Sequence, residues 1–258
     1  MHNTFYICRR ELTSFFFSPI AYVILAAWTV LMGFFYSGAF LSYAVVSMQL
    51  ARNPQAAAQY NITPTSAVLE PVFSSVTVIL LFVAPLLTMR LFSEEKKQGT
   101  IELMLTFPLR NGQLFAGKYL SVLFIYLIML AITIVYPIIL SAFVKVDWTI
   151  VSSAYLGMVL TGMAFLSVGL LASSWTSNQI VAAMLAFMIL LATFLVEALA
   201  ISAGEPLSSI LRHLSLGMHL RNFIRGIVDT RDVIYLININ LLCGFLVLRS
   251  LEYYRWRG

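Results

Sequence analysis

The chain has 258 residues, of which 60% are apolar and only 10% charged, against roughly 25% charged in ordinary soluble domains. That composition excludes a soluble enzyme and a free-standing nucleic-acid binder, because too few polar side chains remain to cover a water-facing surface. The net charge of +5 does not change this: the basic residues sit in short flanks between apolar blocks, where they orient membrane helices.

Residues 3–18 come first. At 100° per residue Phe5, Cys8, Leu12, Phe15 and Phe16 fall on one face, with Arg10, Thr13 and Ser14 elsewhere. This predicts an amphipathic interfacial helix, with Phe5, Arg9, Arg10 and Glu11 as its candidate residues, that directs its basic residues toward headgroups. It serves as an anchor or as a partner contact. Arg9-Arg10-Glu11 is followed by some 40 uncharged residues with no small-residue cleavage site, so the start does not read as a cleavable signal.

The charge-free runs 12–51, 71–89, 119–144, 148–196 and 233–248 place the membrane spans. One crossing needs about 20 apolar residues. The 49-residue run 148–196 would extend about 74 Å as one helix, so it must fold back. The polar cluster from Ala172 to Gln179 marks the turn. Six helices result, at about 20–42, 70–90, 117–143, 150–172, 179–200 and 232–249. Pro85 and Pro137 are predicted to kink the second and third. The absence of two-residue alternation argues against a barrel, so the fold class is an all-α membrane protein. Six spans put both termini on one side. That side holds ten Lys and Arg and the other six, which favours termini inside.

Between the second and third spans lies the longest charged stretch, Arg90 to Pro108. Gly99 interrupts helix propensity. Thr100 then reads as an N-cap, with Glu102 near the positive end of the next turn, and Pro108 suits a first helical turn. Ile101, Leu103, Met104 and Leu105 want a surface to pack on, the bilayer interface or another protein. Gly112–Lys118 matches the opening of a phosphate-binding loop. Tyr119 follows where Ser or Thr would hold magnesium, and no strand precedes it. A nucleotide would therefore have to be bound by a partner.

Glu197 is the one ionisable residue clearly inside a span, which makes it either an intramembrane polar site or a carboxylate near the outer end, watered or paired with an outer-loop arginine. Residues 201–231 read as short amphipathic helices dipping toward the membrane, with Leu216, Leu220, Phe223, Ile224 and Ile227 on one face. Arg212, Arg221 and Arg225 are expected to face headgroups or a partner, and Asp229 and Asp232 to pair with neighbouring arginines. His213 and His219 are six apart with no further His or Cys at ligand spacing, so no metal is expected. Cys8 and Cys243 read as packing residues. Asn61-Ile62-Thr63 fits a glycosylation sequon that has meaning only in a eukaryotic secretory setting.

Three segments carry a family resemblance. Glu94-Glu95-Lys96-Lys97-Gln98-Gly99-Thr100-Ile101-Glu102-Leu103-Met104-Leu105-Thr106-Phe107-Pro108, followed by Gly117-Lys118 at the opening of a span, resembles the coupling segment of ABC-2 type transporter permeases. The match is nearest to the gliding-motility-associated branch and its nitrous-oxide-reductase-maturation relatives. Arg10-Glu11-Leu12 leading to Ser18-Pro19-Ile20-Ala21-Tyr22, and Phe223 through Asp232, resemble the same branch. The resemblance implies one transmembrane domain over 1–258, a non-catalytic subunit of an ATP-driven exporter in a bacterial inner membrane. It implies two ABC ATPase subunits that bind ATP and Mg and dock on a surface formed by the interfacial N-terminal helix and the coupling residues Glu94, Glu95, Lys96, Lys97, Gly99, Thr100 and Glu102. It also implies a second permease copy or paralogue, contact with membrane lipid and with no nucleic acid, and room for an extracytoplasmic accessory protein. Residues 201–231, with Arg221, Phe223, Arg225 and Asp229, would be re-entrant helices closing the outer end. The alternative is a secondary transporter or channel working without ATP.

Overall fold

The computed structural model describes residues 2–52, 63–100, 110–202, 204 and 207–257. Among these no strand occurs. The helices are α1 (His2–Phe17), α2 (Pro19–Arg52), α3 (Pro64–Thr88), α4 (Arg90–Lys97), α5 (Asn111–Thr133), α6 (Val135–Ser141), α7 (Trp148–Trp175), α8 (Gln179–Ser202), α9 (Leu207–Leu214), α10 (Leu216–Ile224) and α11 (Thr230–Arg257). Six helical runs are long and apolar enough to cross a membrane: Pro19–Gln49, Thr65–Lys97, Asn111–Ser141, Trp148–Trp175, Gln179–Ala200 and Thr230–Tyr254. The chain is an all-α membrane protein. The runs outreach the expected spans because helix continues past the last apolar residue wherever nothing breaks it.

The breaks have identifiable causes. Pro137 has no N–H and its ring crowds the Thr133 carbonyl. The third run accordingly breaks between α5 and α6, where the Ile134 N–H tightens onto Ala131 O at 3.2 Å. Helix α3 continues through Pro71 and Pro85, and the run is interrupted at Met89, whose N–H reaches Pro85 O at 2.9 Å. Between α7 and α8, Asn178 Oδ1 accepts the Ile180 N–H at 2.9 Å, a side-chain cap that starts the return helix where the polar cluster lies.

Helix α7 is the central element, buried along most of its length, whereas α2, α8 and α11 turn most of their surface outward. Inside hydrocarbon a buried polar atom must find a protein partner. The fully buried Trp28 donates its indole N–H to Met129 O at 2.9 Å. Buried Tyr126 donates to Met158 O at 2.7 Å. Each thereby ties two helices at one depth.

Helix alternation gives the molecule two ends. One carries α1, α4, the start of α5, the end of α7 and the end of α11. The other carries α9, α10, the start of α7 and the start of α11.

Candidate functional site

At the α4 end, helix α1 lies against α5. Its packing side is Thr4, Ile7, Cys8, Glu11, Leu12 and Phe15, while Phe5, Tyr6, Arg9 and Phe17 are exposed. This corrects the expected face: Phe5 points away from the bundle and the buried stripe carries a carboxylate. A Cβ on Gly117 would sit 2.7 Å from the Ile7 side chain, so the start of α5 must stay bare for α1 to dock.

Glu11 meets three other charged groups. Lys118, 1% exposed, donates to Glu95 Oε1 at 2.7 Å, to the Leu91 carbonyl at 2.6 Å and to Glu11 Oε1 at 3.1 Å. These three bonds use the three donors of an ammonium. Arg10 donates to the same two oxygens, Glu11 Oε1 at 2.7 Å and Glu95 Oε1 at 2.8 Å. Two carboxylate oxygens are thus each shared by two cations, and one ring of charges joins α1, α4 and α5. Arg10 therefore reaches inward, away from the headgroup direction expected for it, because two carboxylates lie within its span. Burial alone would raise the Glu11 carboxyl, but Lys118 and the Arg10 hydrogen bond outweigh it and hold it below its ordinary value. For Arg10 burial works to lower the guanidinium, and Glu11 with Glu95 reverses this to a net rise.

Helix α4 is held from a second side by α7. The Ser173 hydroxyl accepts the N–H groups of Phe92 at 3.1 Å and Ser93 at 3.2 Å, and donates to Met89 O at 3.0 Å. These N–H groups belong to the first turn of α4, which has no intrahelical partners of its own, so a side chain about 80 residues away caps the helix. Lys96 donates to the Ser174 carbonyl, and Ser250 of α11 donates to it at 3.0 Å. Lys96 also lies 4.8 Å from the Tyr254 ring.

What remains outward on α4 is a narrow edge. Glu94 is half-buried and takes a 3.4 Å bond from Gln98, while Lys97, Gln98 and Gly99 are exposed. Gly99 has φ +69°, a backbone that favours glycine, so it ends α4 and turns the chain. Thr100 is helical and its hydroxyl donates to Glu95 O at 3.3 Å. It back-bonds to the preceding helix and is not the expected N-cap. Glu102 and Ile101 to Pro108 lie outside the described residues.

A cleft of about 370 Å³ opens between α1 and α4, lined among others by Arg10, Arg90, Glu94, Glu95, Gln98 and Thr100. Glu95 Oε2 and Arg90 Nη2 are buried without a hydrogen-bond partner among the described residues, while the Arg90 guanidinium lies 4.0 Å over the Phe15 ring. The phosphate-loop look-alike is helical, forming the first two turns of α5, with its lysine committed to carboxylates.

At the opposite end Glu197 pairs with Arg221 at 2.8 Å. A Cβ on Gly217 would come 1.9 Å from Glu197 Oε2, so this glycine admits the carboxylate. Fully buried Phe223 docks α10 on α7, and its carbonyl accepts from Ser153 at 2.8 Å. Arg225, largely exposed, reaches the partly buried Glu70 at 3.5 Å. The expected arginine partners of the two aspartates are corrected. Asp232 binds His219 Nδ1 at 2.5 Å and Asn222 Nδ2 at 2.8 Å. Asp229 accepts the Arg231 backbone N–H at 2.9 Å and caps α11. Ile227 drops off the apolar face because α10 stops at Ile224 and Gly226, at φ +84°, turns the chain. Among the described residues no group of three or more His, Cys, Asp or Glu is placed to hold a metal ion.

The sequence reading missed Lys118, Ser173 and His219 as site residues. Only Lys118 left a local signal: a lone cation at the mouth of a 26-residue charge-free run needs a buried anion. Residues 14–240 match the family described as ABC-2 family transporter protein. No curated protein matches the chain.

Proposed function

The chain belongs to the ABC-2 transporter family, and from that premise we propose that it is the non-catalytic permease subunit of an ATP-driven exporter. ATP and magnesium are bound by two separate ATPase subunits, which dock on the exposed edge of α4 at Glu94, Lys97, Gln98 and Gly99, with Thr100 and Glu102 extending the contact. The α4 end then lies in the cytosol of a bacterial inner membrane, with both termini there, as the ten-to-six split of basic residues supports. The α1 helix lies in the interface with Phe5 and Arg9 toward lipid. A second permease subunit completes the pathway, and the α9–α10 hairpin closes its outer end. An extracytoplasmic accessory protein would meet that hairpin end. The three segments quoted above support the gliding-motility-associated and nitrous-oxide-reductase-maturation branch, and the export direction rests on that likeness.

One observation carries the mechanism: α4 is fixed by buried polar bonds to α1, α5 and α7 together. A push on its tip cannot be absorbed locally. It must move the ends of three helices, two of which cross the membrane. The ATP-independent alternative leaned on Glu197 as an intramembrane carboxylate, and that carboxylate is engaged by Arg221 at 2.8 Å near the end of α8.

The test is co-purification with an ATPase followed by hydrolysis and transport assays in vesicles. Lys97→Glu on the exposed edge should weaken ATPase capture while the bundle stays folded. Lys118→Met should retain capture and hydrolysis but lose transport. Transport by the isolated chain with no ATPase present would overturn the proposal.

A further inference from the structure

A cavity of about 200 Å³ lies toward the hairpin end, where α3, α8 and α10 meet. Its polar lining is Ser74 and Thr77 of α3, Glu197 of α8 and Arg221 of α10, and Phe194 and Leu220 are among its apolar walls. That volume is below the usual range for a drug-sized ligand and suits one small polar group.

The two hydroxyls differ from others on the same helix. A helical Ser or Thr can satisfy itself by donating back to a carbonyl three or four residues earlier, as Ser75 does to Val72 O at 2.7 Å and Thr88 to Ala84 O at 2.8 Å. Thr77 is only 8% exposed, yet its hydroxyl makes no hydrogen bond among the described residues, and neither does that of Ser74 one turn earlier. A buried hydroxyl without a partner costs free energy, and these two line a space that a partner can enter.

The charges beside them are half spent. Glu197 gives Oε1 to Arg221 Nη2 at 2.8 Å. Its Oε2 lies against the bare Gly217 and accepts no hydrogen bond among the described residues. Arg221 has half its side chain exposed, and its Nε and Nη1 donors are unspent among the same residues. The pair is neutral as a whole, so a lone cation is repelled by Arg221 and a lone anion by Glu197. A group carrying both signs a few bonds apart answers each: its ammonium donates to Glu197 Oε2, and its acidic oxygens accept from Arg221, Ser74 and Thr77.

We propose that this cavity binds a zwitterionic group, an ammonium joined through a few bonds to an acidic oxygen group, carried by a free solute or by a lipid headgroup. Its role as a resting place for cargo beside the α9–α10 hairpin rests on the permease reading, whereas binding itself needs no ATPase.

The full chain in detergent is titrated with glycerophosphoethanolamine, with ethanolamine and glycerol phosphate as single-charge controls, and binding is read by calorimetry and as a rise in melting temperature. Native mass spectrometry from nanodiscs of phosphatidylethanolamine or of phosphatidylglycerol separates a headgroup source from a free one. The expected result is saturable binding of the free zwitterion, retention of phosphatidylethanolamine over phosphatidylglycerol, or both, with neither control bound comparably. Thr77→Val should weaken binding about 10- to 100-fold, the loss of a hydrogen bond to a charged group. It should leave the melting temperature of the unliganded chain unchanged, because the hydroxyl has no partner to lose. Glu197→Gln should shift preference toward glycerol phosphate. No binding of either zwitterionic probe, equal binding of the controls, or a lower unliganded melting temperature for Thr77→Val would overturn the proposal. Binding by a chain that captures no ATPase would leave the site standing and remove the permease reading, and ATPase-driven transport without binding would do the reverse.

Discussion

The two ends of the molecule handle buried charge differently. At the α4 end, Arg10, Glu11, Glu95 and Lys118 share two oxygens, and the contacts join residues 85 and 107 positions apart. At the hairpin end the charges pair off separately. Glu197 takes Arg221, Glu70 takes Arg225 and Asp232 takes His219, with the two arginine side chains half or more exposed. A ring of shared bonds cannot lose one member without exposing the rest, whereas a separate pair whose arginine is half or more in solvent is worth little and breaks on its own. The first arrangement suits an element that must transmit displacement, the second an element that must yield to it.

The sharpest way to break this contrast is Lys118→Met. Removing one partner from a buried ion network costs about 3–5 kcal/mol because the remaining charges stay buried. The Lys118→Met protein should melt lower in detergent. Combining it with Glu11→Gln and Glu95→Gln should recover part of the loss, since the stranded carboxylates are gone. No recovery in the triple variant would mean that the ring is not the unit described here. Ser173→Ala comes next. It strands the Phe92 and Ser93 N–H groups, a cost of about 1–3 kcal/mol, and hydrogen exchange should rise in α4 ahead of α5. At the hairpin end Arg221→Ala should cost less, because half the arginine side chain is already in solvent. Gly217→Ala should act on the same pair by displacing the Glu197 carboxylate. If Arg221→Ala destabilised the chain as much as Lys118→Met, the distinction between the ends would fail.

How much of this was legible in the sequence follows from range. The six spans came from charge-free runs, and the family from contiguous residues. The α1 face was misphased because the aromatic weight of Phe5 and Phe16 pulled it, while the true packing stripe includes Glu11, whose partner lies in α5. Ser173 and Ser174 read as part of a turn. Nothing within several residues of them announces that Ser173 caps α4 or that the Ser174 carbonyl receives Lys96. Asp232 was assigned to the nearest arginines in sequence, but helix α10 returns against the start of α11 and brings His219 to it. What was missed depends on which distant helices meet.

The smallest effect separates the ends by pH. Glu11 in the folded chain titrates below the carboxylate's ordinary 4.5, the pull of Lys118 and the Arg10 bond outweighing its burial. A group depressed on folding stabilises the fold fully above its unfolded value, and that contribution disappears as pH falls through the folded value. Stability supplied by Glu11 should therefore be flat from pH 7 to about 5 and decline below 4.5. Glu11→Gln lacks that term. Its melting temperature should lie below the wild type at pH 7 and converge with it under acid, with the exchange of α1 amides following the same curve. A constant gap between the two proteins down to pH 3.5 would show that the Glu11 carboxylate is not what couples α1 to Lys118, and the ring would have to be redrawn around Glu95 alone.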